Sequence, residues 1–401
     1  MKQIFYGKIS IALALLFLSA GLSAQQPKPA QNGDVQMWLT LGNRSALLAK
    51  QKANIRFGNK ANANQVIEVD DKKTFQTIDG FGYTLTGGSA VHIAKMPAAK
   101  QMLLLQELFS TKGNGIGISY IRVSVGASDL NAEPFTYDDL PEGQTDVKLE
   151  KFSLKPDMND VIPVLKKIIA INPRIKILAS PWSAPAWMKT NGNLKGGSLK
   201  PEHYETYARY LVRYIRAMKA QGITIDALTP QNEPLHGGNN PSMVMQATEQ
   251  ADFIGKNLGP GLAKAGLKVK IISYDHNADK PEYPMTVLAN AEAAKYTDGS
   301  AFHLYAGPIT ALSKVHDAYP NKHIYFTEQW TGGPGNFAGD LKWHVTMLHV
   351  GAVRNWSRNV LEWNLAADEN YQPHTPSGGC TTCLGAITIS GDEVTRNSPY
   401  Y

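Results

Sequence analysis

The sequence is poor in several features that would each name a function class. Its 401 residues hold only two cysteines, Cys380 and Cys383, with no second pair to complete a zinc site. Charged residues make up 18% of the chain, and 40 Lys+Arg against 34 Asp+Glu leave a formal +6, a dispersed excess that argues against a nucleic-acid partner. No His-x-His or His-Glu-x-x-His spacing occurs, and the paired glycines Gly196-Gly197 and Gly237-Gly238 lack phosphate-loop spacing, so neither a metal nor a nucleotide cofactor is expected. Long apolar runs are also missing. The longest, Ile9 to Leu18, falls short of the ~20 residues a membrane-spanning helix needs.

That run follows Met1-Lys2 and precedes the small residues Ser19 to Ala24, the order of a signal peptide over residues 1–24. Export to the periplasm, cell surface or exterior is expected, with no stable membrane span in the mature chain. An oxidising compartment would let Cys380 and Cys383 close a small disulfide loop, although a C-x-x-C pair also suits half a zinc site or a redox motif. Oligomeric state leaves no mark in the sequence.

A Gln/Pro/Asn-rich linker and two period-two segments, Val35 to Thr40 and Gln65 to Val69, occupy residues 25–74 and read as β-strands. From residue 75 onward, short β-rich runs alternate with longer amphipathic stretches. The expected strands are Gln76–Phe81, Tyr120–Val125, Ile175–Ala179, Ala227–Pro230, Val269–Tyr274, Ala301–Tyr305, His323–Thr327 and Asn359–Trp363. Between them, Tyr204, Tyr207, Leu211, Tyr214, Ile215 and Met218 share one helical face. Eight such units predict an α/β fold, a (β/α)8 barrel, over residues 75–401.

A barrel keeps its chemistry at the C-terminal ends of its strands. Those ends carry Asp129, Trp182, Asn232-Glu233, His276, Asn277, His303, Tyr305, Glu328 and Trp363. Glu233 and Glu328 close the fourth and seventh strands, which face each other across a barrel mouth. Two facing carboxylates suit cleavage of an acetal, one protonating the leaving oxygen and the other attacking the anomeric carbon or activating water. Trp182, Trp330 and Trp363 offer rings for the C–H faces of a sugar. Arg122, on the second strand, is expected to orient a carboxylate through charge-assisted bonds.

Narrower stretches carry a family likeness. Asp79-Gly80-Phe81-Gly82, the run from Ser180 to Lys189, Asn232-Glu233-Pro234 and Trp363-Asn364-Leu365-Ala366 resemble glycoside hydrolase family 30, which includes glucosylceramidases and microbial β-1,6-glucanases. The resemblance implies Glu233 as acid/base and Glu328 as nucleophile of a retaining β-glycosidase. It places Asp129, Trp182, Asn232 and Trp363 around the sugar; from their place at the end of the sixth strand, His303 and Tyr305 are expected as further substrate contacts. It also implies that the N-terminal strands contribute to a small, incomplete β-sandwich beside the barrel, and that the chain stops before the eighth helix and most sandwich strands of such proteins. Leu304 stands where mammalian members have Trp, which disfavours ceramide. The expected partner is a β-glucan or β-glucoside. Two other readings remain: a non-catalytic carbohydrate-binding barrel, and a metal-dependent hydrolase using His236, His276 and His303.

Overall fold

The computed structural model describes residues 35–52, 55–58 and 63–401. The expected signal peptide and most of the linker lie outside them. The chain divides into two units, one drawn from residues 1–39 and 48–66, the other from residues 40–47 and 67–401. In the first, Trp38–Leu39 pairs antiparallel with Ala49–Lys50, extended by a bridge between Val35 and Ile55. The expected strand Gln65 to Val69 does not form. Its apolar residues Val66, Ile67 and Val69 are 78%, 90% and 87% exposed, and no strand pairs with it among the described residues. Alternation stabilises a strand only where a partner and a core face await it.

The second unit is built on eight parallel strands: β1 (Gly80–Thr84), β2 (Tyr120–Ser124), β3 (Lys176–Ser180), β4 (Ala227–Leu228), β5 (Lys270–Asn277), β6 (Thr297–His303), β7 (His323–Glu328) and β8 (Asn359–Asn364). Neighbours in the chain are neighbours in the sheet, and β8 returns to pair with β1. The β7–β8 seam closes through an Ile324–Ser357 bridge, with Asn359 Oδ1 accepting from the Phe326 N–H at 2.9 Å. The fold is therefore the expected (β/α)8 barrel. β1 starts four residues later than the sequence suggests, because pairing begins only at Gly80. A Cβ on Gly82 would sit 1.9 Å from the Tyr120 carbonyl, so β1 and β2 approach too closely for any side chain there.

Residues two apart on a strand point the same way, and this orders the barrel interior in layers. Tyr120, Leu178, Ala227, Ile272, Ala301, Tyr325 and Leu361, one from each strand except β1, form a buried apolar layer. Two residues on, the same side carries Arg122, Ser180, Thr229, His303, Thr327 and Trp363, all buried. β5 breaks the count. A register shift between Tyr274 and His276, with positive φ at Tyr274 (74°) and Asp275 (68°), leaves the Tyr274 ring in the outer core and turns Asp275 inward. An apolar layer thus supports a polar one, and the polar layer is the floor of the mouth.

Around the barrel, the helix Tyr204–Ala220 buries Tyr207, Tyr210, Leu211, Tyr214, Ile215 and Met218, the face that its spacing marks. C-terminal segments add two small sheets, Thr331–Gly332 with Cys383–Leu384, and Ala366–Ala367 with Ile387–Ser390 and Glu393–Arg396. No helix among the described residues is long and apolar enough to cross a membrane.

Candidate active site

A cavity of about 300 Å³ opens at the C-terminal ends of the strands, lined by Asp129, Trp182, Glu233, Tyr305, Glu328 and Trp363, with His236, Asn239, His276, Asn277, Trp330 and both cysteines completing it. Cys380 and Cys383 form a disulfide. They pack in one apolar cluster with Leu130, Trp182, Trp330 and Trp363, so the disulfide is part of the cavity wall. The Trp182 and Trp363 rings stack with centroids 5.3 Å apart. The Trp182 indole N–H is buried without a partner.

Glu328 ends β7 in a ring of donors. Arg122 Nη1 lies 2.5 Å from its Oε2, and the Tyr305 hydroxyl donates to Oε1 at 2.9 Å. Arg122 reaches further, donating to Asp275 Oδ2 at 2.8 Å and to Asn232 Oδ1 at 2.6 Å. Its guanidinium also lies over the Trp182 ring, 4.8 Å from the centroid. Burial raises the Glu328 carboxyl above its usual range, with the charges of His303 and Arg122 acting the other way.

Glu233 follows β4 in a left-handed backbone conformation (φ 44°), its N–H donating to the Asp275 carbonyl at 3.0 Å. For a non-glycine residue this conformation is strained, and the strain aims the side chain into the mouth. Its Oε1 lies 3.2 Å from His303 Nδ1, and Asn239 Nδ2 donates to Oε2 at 3.2 Å. Burial opposes ionisation of Glu233, but the His303 bond and charge bring its carboxyl below the usual range. One carboxylate oxygen each from Glu233 and Glu328 and one His303 nitrogen lie within 4.8 Å of one another.

Asp275 is fully buried and meets donors on both oxygens: Arg122, Ser180 and Thr229 on Oδ2, Thr327 and His303 Nε2 on Oδ1. Burial works against its charge, yet Arg122 and His303 hold the carboxyl well below its ordinary value. Asp129, by contrast, is pushed up to about 8 by burial and by the charges of Glu328 and Glu233, so it is neutral near pH 7. Burial likewise drops His276 to about 4, and its Nδ1 has no partner.

Of the residues that the sequence singles out, Asn232 and His303 stand behind Glu233 and do not line the cavity. Asp275, Ser180, Thr229, Thr327 and Asn239 were not singled out by sequence. Asp275 escapes because alternation from Ile272 would turn it outward; its position between Tyr274 and His276 on an otherwise apolar strand is the signal that could have found it. The three histidines His236, His276 and His303 do not form one donor set. Among the described residues, only Glu233, His303 and Glu328 bring candidate donor atoms together. Both His303 nitrogens there face carboxylates, and Arg122 places a positive charge beside Glu328, an arrangement that disfavours a bound cation.

Comparisons with known proteins agree with this geometry. The model of the glycosyl hydrolase family 30 TIM-barrel domain matches residues 78–374. An endo-1,6-β-D-glucanase of Neurospora crassa is 35% identical over 403 residues, covering 96% of this chain and 80% of the relative. The lysosomal acid glucosylceramidase of Mus musculus is 34% identical over 342 residues, covering 79% of this chain and 65% of its own. Among solved structures, the endo-β1,6-glucanase BT3312 superposes with a TM-score of 0.86 at 35% identity, over 92% of this chain and 83% of that one. Barrel, facing glutamates and relatives together establish that the chain belongs to glycosyl hydrolase family 30 and is a β-glycosidase.

Proposed function

We propose that the chain is an exported, retaining hydrolase of β-1,6-linked glucan. The observation that carries the retaining assignment is the closeness of the two glutamates, an oxygen of each within 4.8 Å. Inverting enzymes need a gap of about 6.5–9.5 Å to seat a water between the carboxyls. In this reading Glu328, held by Arg122 and Tyr305, attacks the anomeric carbon. Glu233 protonates the departing oxygen and later deprotonates the water that releases the glycosyl-enzyme. Trp182, Trp330 and Trp363 wall the sugar, while neutral Asp129 can both donate to and accept from a hydroxyl.

The preference for a glucan over a glucosylceramide rests on the cavity wall beside Glu233. His236, Asn239, His276 and Asn277 stand there, polar groups suited to a hydroxyl-bearing acceptor and not to acyl chains. The relatives named as endo-1,6-β-glucanases support the same choice. Export rests on the N-terminal pattern alone.

The test assays the protein on gentio-oligosaccharides, long β-1,6-glucan and a fluorescent glucosylceramide, and reads the first-formed anomer by NMR. Turnover of the glucans with initial β-product supports the proposal. Initial α-product overturns retention, and preference for the lipid overturns the substrate.

A further inference from the structure

Glu233 presents a contradiction as a general acid: it must deliver a proton, yet its surroundings favour the carboxylate. The hydrogen-bond pattern resolves it. Asp275 meets only donors, so it is ionised and has no proton to give. The Nε2···Oδ1 contact at 3.0 Å therefore requires the hydrogen on His303 Nε2. On the other side of the ring, Nδ1 lies 3.2 Å from Glu233 Oε1. Two lone pairs cannot face each other at that distance, so a proton sits between them, on the ring or on the carboxyl. Asp275 thus fixes the proton count of the Glu233–His303 pair at one more than the neutral ring and the carboxylate supply.

We propose that the catalytic proton rests on His303 Nδ1 and passes through Glu233, making His303 a positioning residue that stores the acid's proton. This rests on Glu233 being the acid/base. As the glycosidic C–O bond breaks, the proton leaves Nδ1 for the Glu233 carboxyl and goes from there to the leaving oxygen. His303 becomes neutral, still anchored by Nε2–H on Asp275. When water attacks the glycosyl-enzyme, Glu233 takes its proton and the pair is reloaded.

The groups facing His303 from every side agree. Asp275 on β5, Glu233 after β4 and Glu328 at the end of β7, at 3.0, 3.2 and 3.7 Å, are all carboxylates. Arg122 lies beyond Asp275 and Glu328, and the His276 and Tyr305 rings meet His303 edge-on at 6.3 and 6.0 Å. Burial alone would deprotonate the ring, but Glu328 and the bonds to Asp275 and Glu233 raise it to about 9.

The experiment compares kcat/KM against pH for the wild type and His303→Gln, on a gentio-oligosaccharide and on an activated aryl β-glucoside. In the variant, the alkaline limb should move down by about one pH unit or more, since Glu233 must then hold the proton alone. The acidic limb should move up, since Glu328 loses a positive neighbour at 3.7 Å. A variant slower by the same factor at every pH, with both limbs in place, overturns the proposal. Because His303→Gln can also disturb folding, ¹⁵N NMR of His303 in the wild type provides a second reading: an imidazolium at pH 6–7 is expected, and a neutral ring there overturns the idea. Azide rescue of Glu233→Ala is scored separately. Its failure refutes Glu233 as acid/base, whereas unmoved limbs with rescue intact refute only the storage role.

Discussion

The two ends of the barrel each carry a charged cluster with buried carboxylates, and they differ in whether water reaches the cations that partner them. At the bottom, Asp79 sits before β1 and pairs with Lys176 at 2.5 Å, Arg358 at 3.1 Å and Lys270 at 3.7 Å, the two lysine side chains being 38% exposed. At the mouth, Arg122, Asp275 and His303 have fully buried side chains, and Glu233 and Glu328 nearly so. The apolar layer of Tyr120, Leu178, Ile272 and their neighbours lies between. Water and salt reach the lysine partners of the lower cluster, so its charges are screened more than those at the mouth. The upper cluster has no such screening; each charge depends on its neighbours, and removing one redistributes protons among the rest.

The comparison predicts a descending series of effects. Glu328→Ala should cost the most, on the order of 10⁴-fold or more in kcat on every β-glucoside, measured by initial rates without added nucleophile. Glu233→Ala should lose about 10²–10⁴-fold on gentio-oligosaccharides while sparing substrates with good leaving groups, and azide should accelerate the latter. Equal losses on both substrate types would remove the distinction drawn between the two glutamates.

Asp275→Asn should act on stability and pH dependence together. Breaking a buried pair costs about 3–5 kcal/mol, which a denaturant melt would register. Because the folded-state pKa of Asp275 is depressed, its contribution is present above the ordinary value of 3.8 and lost as pH falls through the lower folded value. Wild-type stability should therefore decline below about pH 4, and the variant should decline less steeply. Asp79→Asn should have the smallest effect on activity, with kcat unchanged and a stability cost that shrinks with added salt through the two half-exposed lysines. A large loss of activity there would erase the contrast between the two ends.

Asp79 also shows how far a motif can be read. Asp79-Gly80-Phe81-Gly82 helps to mark the family, yet the structure puts it at the end of the barrel away from the mouth, where Gly82 serves close strand approach and Asp79 an ion-pair cluster. Gln65 to Val69 teaches the converse. Its alternation is as regular as that of a strand, but its apolar residues stand exposed, because pairing depends on residues elsewhere in the chain.

The sequence by itself determined the alternation of strands and helices, the eight-strand count and the residues that close each strand. These follow from period-two and period-3.6 burial and from turn residues, which are local properties. It also presented Glu233, Glu328 and Arg122 as residues of the right chemistry at the right ends. Which groups share protons was decided only in three dimensions. The bulge at Tyr274 brings Asp275 inward against the pattern of its own strand, and from there it sets the tautomer of His303 and anchors Arg122. No local pattern encodes this, because a buried group's charge state depends on neighbours contributed by distant strands and on the water their packing excludes.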